Sequence, residues 1–242
     1  DDEKSAVINF ASEVIDGRVP LVAGVGGNKT RAILDTLRNM SFEGVDAVLS
    51  VSPYYNKPQP KGLFYHYREI GNHCPLPVII YNVPGRTSSN IDADTTLRIA
   101  SEVPNVIGIK EASKDLEQCG RIIKHKPDNF LVISGNDELT LPFMALGGDG
   151  VISVIANAFP AEFSGMVRMC LDDNFSGARE IHLKLLDIIQ AIYADGSPSG
   201  VKALMEMKAL CKNVLRLPLV KINKGLNKQM SVLFEELQGA GS

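Results

Sequence analysis

No apolar run in the 242-residue sequence approaches the ~20 residues that a membrane-spanning helix needs, so no helical membrane span is expected. No secretory leader pattern is visible at the start of the chain, and export is not expected. Charge of one sign is scarce as well. The 25 basic residues stand against 28 acidic ones, for a formal net charge of -3, so neither nucleic acid nor an anionic membrane surface is an expected partner. The cysteines, Cys74, Cys119, Cys170 and Cys211, lack both metal-ligand spacing and a disulfide framework. That pattern suits a reducing cytoplasm and no metal. No Gly-x-Gly-x-x-Gly motif follows the first strand and there is no phosphate loop, which argues against a nucleotide-binding Rossmann domain. The run Gly24-Val25-Gly26-Gly27-Asn28 is a loose look-alike.

What is present is a globular composition, 45% hydrophobic, in a chain long enough for one large α/β barrel or two smaller domains. Apolar residues at Ala6, Val7, Phe10, Ala11, Val14 and Ile15 have helical spacing, so a helix is expected first. Strands are expected at Pro20–Val25, Val45–Ser52, Pro77–Tyr81, Asn105–Lys110, Phe130–Ser134 and Gly150–Val154. Helical spacing follows each, over 30–38, 61–72, 92–102, 116–125, 139–146 and 161–172, with further helices over 176–193, 200–211 and 227–236. Strands that are apolar throughout and alternate with helices imply a parallel sheet covered on both faces. Short, regular loops favour a TIM-type (β/α)8 barrel, with the chemistry at the C-terminal ends of the strands. Six βα units are visible where a closed barrel has eight, and the other two would lie ahead of Asp1. The expected organisation is thus a barrel portion over 1–160, C-terminal helices over 161–238 and a linker-like Gly-Ala-Gly-Ser tail at 239–242.

Val106-Ile107-Gly108-Ile109-Lys110-Glu111 runs an apolar strand straight into a lysine. A strand end that turns its side chain into solvent would account for it. So would a nucleophile, because an amine desolvated in an apolar pocket loses basicity and becomes usable for Schiff-base chemistry.

Four segments taken together resemble the dihydrodipicolinate synthase family. They are Ile79-Ile80-Tyr81-Asn82-Val83-Pro84-Gly85-Arg86-Thr87, Gly108-Ile109-Lys110-Glu111-Ala112, Val51-Ser52-Pro53-Tyr54-Tyr55-Asn56-Lys57-Pro58 and Gly148-Asp149-Gly150-Val151-Ile152-Ser153-Val154. They stand in the family's order and spacing, and the resemblance covers residues 3 to 236. It implies a cytoplasmic lyase of lysine and diaminopimelate biosynthesis that needs no cofactor beyond a pyruvate imine on Lys110. Its substrates would be pyruvate and aspartate semialdehyde. Tyr81 would relay protons, although a lone tyrosine there could equally be a core residue with a satisfied hydroxyl. Arg86 would hold the aldehyde's carboxylate in a two-pronged contact, where a surface arginine is the plain alternative. An arginine in that loop also separates the family from the related sialic acid and sugar-acid lyases.

The resemblance further implies that Tyr55 reaches into a neighbouring subunit's site within a homodimer or homotetramer. Tyr54 would stack at the same interface. Gly135 and Ile152 would wall the pyruvate pocket. Two departures stand out. The family's Gly-Thr-Thr-Gly-Glu segment, which completes the proton relay, is absent from this sequence, so a truncated barrel with little or no catalysis is the competing expectation. In relatives inhibited by lysine, Asn28 and Tyr54 would line the regulatory site with a glutamate, but here that glutamate's position is Ala32.

Insensitivity to free lysine is therefore expected. A charge-assisted hydrogen bond to an ammonium contributes about 1.5–3 kcal/mol, roughly a tenfold to hundredfold in affinity. Isothermal titration of the purified protein with lysine should show no saturable binding. Micromolar binding that disappears in Tyr54→Ala would overturn this expectation.

Overall fold

Runs rich in valine and isoleucine, whose β-branched side chains favour extended backbone, form the strands in the computed structural model, which describes residues 2–239. The chain divides into two compact units, one running up to Gly135 and the other starting at Asn136. In the first unit α1 (Asp2–Ile15) precedes β1 (Val22–Gly24), α2 (Thr30–Asn39), β2 (Ala47–Val51), α3 (Pro60–His73) and β3 (Val78–Asn82). Then come α4 (Pro84–Thr87), α5 (Ala93–Glu102), β4 (Val106–Glu111), α6 (Leu116–His125) and β5 (Leu131–Ser134).

These five strands pair in parallel and in chain order. The inner strands β3 and β4 are buried almost along their whole length, as a parallel sheet covered on both faces requires. Helix boundaries follow local chemistry. Asp92 accepts the Thr95 N–H at 2.7 Å to cap α5, and Asp115 accepts the Gln118 N–H at 2.9 Å to cap α6. Pro60 and Pro84 occupy the first turns of α3 and α4, where the missing N–H costs nothing.

The structure departs from the sequence expectation at several points. β1 is shorter than expected and is not covered on both faces, with Val22 and Gly24 exposed. The apolar stripe of α1 is exposed too: Val7, Phe10 and Val14 all face solvent. The short helix α4 was not expected, because a proline and a glycine read as loop. Its geometry comes from Thr87, whose hydroxyl donates to the Val83 and Ser89 carbonyls, and from Ser88 in the left-handed region at φ 54°.

The second unit begins with a 3₁₀ turn (Asp137–Leu139), α7 (Thr140–Ala145), β6 (Gly150–Val151) and a second 3₁₀ turn (Ile155–Asn157). Helices α8 (Pro160–Leu171), α9 (Phe175–Ala194), α10 (Ser199–Met207) and α11 (Lys224–Gly239) complete it. The long α9 packs against the other three. Their core includes Phe163, Met166, Ile188, Ile189, Ile192, Leu204 and Met230. The strand expected over Gly150–Val154 is corrected to two residues. Asp137 captures the N–H groups of Val154 and Ile155, Ser153 Oγ captures that of Ala156, and the chain turns out of the extended state. Ile152 therefore sits after a strand and not in one.

The helix expected over 200–211 ends at Met207, and Ala209 enters the left-handed region at φ 55°. Among the described residues no helix is long and apolar enough to cross a membrane. Asp1 and residues 240–242 of the linker-like tail lie outside the described residues, and Gly239 is the last residue of α11.

Two glycines of opposite consequence test the packing. A Cβ at Gly120 in α6 meets nothing within 4 Å, whereas one at Gly200 in α10 runs into the Ile192 backbone. Gly120→Ala should raise unfolding free energy by about 0.5–1 kcal/mol. Gly200→Ala should lower it by about 1–3 kcal/mol. Urea denaturation measures both, and parental stability in Gly200→Ala would show that α9 and α10 do not approach so closely.

Candidate active site

Parallel pairing places Tyr81 of β3 directly opposite Lys110 of β4, which in turn faces Ile133 of β5. All three stand at the C-terminal ends of their strands. The Lys110 side chain folds over the phenol ring, with Nζ 4.4 Å from the ring centroid. A cation that close to an aromatic face is attracted by the ring's quadrupole. Lys110 is 8% exposed, which rules out the solvent-facing strand end.

Gly135, the residue after β5, makes this arrangement possible. Its N–H donates to the Glu111 carbonyl at 2.7 Å, which pins it against β4. A Cβ there would lie 2.7 Å from Ala112 Cβ, which cannot move aside, and 2.9 Å from Lys110 Cε, so the lysine tail would be displaced. The glycine leaves the space that the lysine tail occupies.

Tyr81 is half-buried, and burial pushes its phenol pKa up while the Arg86 guanidinium pulls it back down. Arg86 is exposed on α4, the helix that follows the Tyr81 strand. Both β3 and α4 are fastened to the residue that follows β2: the Ser52 N–H donates to the Tyr81 carbonyl at 2.9 Å, and Ser52 Oγ lies 3.4 Å from Thr87 Oγ1.

Behind the pair lies a buried polar cluster that sequence reasoning missed. Asn82 and Glu111 each follow a named residue, and both are buried, Glu111 with Gln118 also on its carboxylate. Burial pushes the Glu111 carboxyl up, against hydrogen bonds from Asn82, Ser113 and Gln118 that lower it. A sequence signal existed, since a strand ending Lys-Glu must turn one charged side chain to each face.

The other expected residues lie elsewhere. Tyr55 is 88% exposed and Tyr54 is exposed beside it, with Tyr55 in the left-handed region at φ 73°. Their loop is tied to the loop after β1, because Asn56 Nδ2 donates to the Asn28 carbonyl at 2.9 Å. Asn28 is half-buried and Ala32 is exposed on α2. Ile152, half-buried, belongs to the second unit. Among the described residues no group of three or more His, Cys, Asp or Glu side chains could hold a metal ion.

Comparison with known proteins gives a consistent picture. A family model described as the dihydrodipicolinate synthetase family matches residues 1–237. A 4-hydroxy-tetrahydrodipicolinate synthase of Parabacteroides distasonis is 50% identical over 220 residues, which are 91% of this chain and 74% of the relative. One from Phocaeicola vulgatus is 47% identical over 237 residues, 98% of this chain and 80% of the relative. Among solved structures, dihydrodipicolinate synthase of Thermotoga maritima superimposes with a TM-score of 0.96 at 35% identity, covering 98% of this chain and 82% of that one. A monomeric dihydrodipicolinate synthase variant gives the same TM-score, 0.96, at 35% identity, covering 98% and 80%.

The electrostatics at Tyr81 can be checked directly. The folded phenol pKa lies above its unfolded value, so the associated stability is full below about pH 10, the ordinary phenol value, and is lost as pH rises through the folded value. Arg86→Ala removes the one opposing influence and should move the Tyr81 titration further up. Ultraviolet tyrosinate absorbance, taken as the difference from Tyr81→Phe, reads this shift. An unmoved curve would place the guanidinium too far away to act on the phenol.

Proposed function

The chain belongs to the dihydrodipicolinate synthetase family, and on that premise we propose how its own residues carry the family's reaction. It is a lyase that condenses pyruvate with L-aspartate-4-semialdehyde through a Schiff base, giving 4-hydroxy-tetrahydrodipicolinate for lysine and diaminopimelate biosynthesis. The observation that carries the residue assignment is the buried Lys110 amine lying over the Tyr81 ring at matched strand ends.

The Lys110 amine adds to the ketone carbon of pyruvate, and the resulting carbinolamine loses its hydroxyl as water to leave an imine. Tyr81, a phenol that burial pushes above its ordinary value, supplies the proton that the departing hydroxyl needs. The Tyr81 phenolate left by that transfer takes up a methyl proton, which turns the imine into an enamine. The enamine carbon attacks the aldehyde of the second substrate, and the aldehyde oxygen takes a proton from solvent. That substrate's amine then closes on the imine carbon and expels Lys110, so the lysine is regenerated.

Arg86, exposed on α4 beside Tyr81, is suited to hold the carboxylate of the aldehyde through a planar fork. Gly135 gives the lysine tail its room. The family resemblance assigns Ile152 to substrate as well. Two exposed neighbouring tyrosines, Tyr54 and Tyr55, suit an interface with a second copy of the chain, because aromatic rings are enriched where subunits meet. No cofactor enters this chemistry, and the fold that goes with it is the (β/α)8 barrel with C-terminal helices.

Trapping gives the test. Pyruvate with borohydride should add one reduced-pyruvate mass to the protein, and peptide mapping should place it on Lys110. Lys110→Ala should lose the adduct. Label on Lys221, the other lysine in an apolar run, or undiminished labelling in Lys110→Ala, would sink the assignment.

A further inference from the structure

We propose that Asn82 and Glu111 form a positioning clasp that sets Tyr81 level with Lys110 from the opposite face of the sheet. The inference rests on the reading of Lys110 and Tyr81 as the reacting pair. Side chains alternate across a strand, so Tyr81 and Lys110 share one face while Asn82 and Glu111, the next residue on each strand, share the other. Asn82 and Glu111 are themselves directly opposite in the β3–β4 pairing. Asn82 is 0% exposed and Glu111 is 2% exposed.

The β3–β4 ladder is regular from Ile79 to Asn82 but irregular at its start. The β3–β4 register shifts between Val78 and Ile79, where Val78 faces Val106 but Ile79 faces Gly108. A one-residue slip turns every side chain to the wrong face, so whatever holds the far end of the pair decides whether Tyr81 meets Lys110. The clasp does so with directional bonds. Asn82 Nδ2 donates to both Glu111 oxygens, at 3.1 and 2.9 Å. The Ser113 N–H and Gln118 Nε2 donate to the same carboxylate at 2.7 and 3.0 Å.

Asn82 Oδ1 in turn accepts the Ile91 N–H at 2.9 Å, which anchors it to the loop ahead of α5. Every group aimed at Glu111 is a donor. A carboxylate can accept them all, whereas an amide presents an NH2 to at least one and leaves it unmade. A slip of β3 against β4 would break several of these buried bonds at once, each expensive to lose.

The clasp makes a prediction that a purely structural cluster does not. In Glu111→Gln, the rate of imine trapping at saturating pyruvate should fall about tenfold, the cost of one unmade buried hydrogen bond, with the half-saturating pyruvate concentration little changed. The alkaline limb of its pH profile should also shift, because Tyr81 moves relative to Lys110 and Arg86. Asn82→Asp should behave similarly, since it sets two carboxylates face to face. Glu111→Asp keeps an acceptor-only carboxylate for the Asn82, Ser113 and Gln118 donors, and it should recover most of the rate and the pH profile.

If Glu111→Gln or Asn82→Asp fails to fold, Glu111→Asp decides: recovered folding with recovered trapping supports the clasp, and recovered folding with slow trapping overturns it. Glu111→Gln and Asn82→Asp variants that trap at the parental rate, or that slow without any movement of the pH profile, overturn it as well. A parent protein that forms no Lys110 adduct would sink the Schiff-base reading itself, and the clasp with it. A parental adduct beside indifferent variants sinks the clasp alone.

Discussion

The pairing of β3 with β4 is the constraint on which the site depends. Neither Tyr81 nor Lys110 is unusual as a residue. What matters is that parallel ladder bonds hold the two strands side by side and that the register brings one side chain opposite the other. The contact follows from that register, as do the burial of the amine, the shift of the phenol and the tight fit against Gly135. A lysine in the same sequence context, one residue out of register, would face the helices and not the ring.

Polar groups buried at the end of a parallel sheet are costly unless each has partners. The first unit meets this demand on both faces of β4. On one face an amine rests on an aromatic ring, and on the other a carboxylate gathers four hydrogen bonds from Asn82, Ser113 and Gln118. The remaining loops are fastened in the same manner: Ser52 Oγ to Thr87 Oγ1, Asn56 to the Asn28 carbonyl, and Asp137 to the turn after β6 in the second unit. Side-chain oxygens and amides thus shape the loops, while aliphatic side chains supply the strands and the helical core.

Much of this was legible in the order of the residues. Apolar runs alternating with helical periodicity located the strands and nearly every long helix, because continuous apolar runs and period-3.6 patterns are local properties that tertiary structure seldom overrides in long elements. The failures fell where a single side chain redirects the backbone. Thr87 winds Pro84–Thr87 into a helical turn, and Asp137 pulls Val154 and Ile155 out of an extended strand. Both acts depend on a partner that local patterning does not reveal. The exposed stripe of α1 is a third instance, since periodicity identifies an apolar face without saying what lies against it.

By itself the sequence determined the class of the chain, the strand that ends in Lys110 and the family its motifs resemble. Those follow from composition, periodicity and short runs of adjacent residues. Only the tertiary structure decided that the Lys110 amine is buried and folded over Tyr81, that Gly135 must lack a side chain, and that Glu111 and Asn82 meet behind the pair. Each of those is a relation between residues tens of positions apart, and it is set by strand register and close packing. Neither quantity exists until the chain has folded.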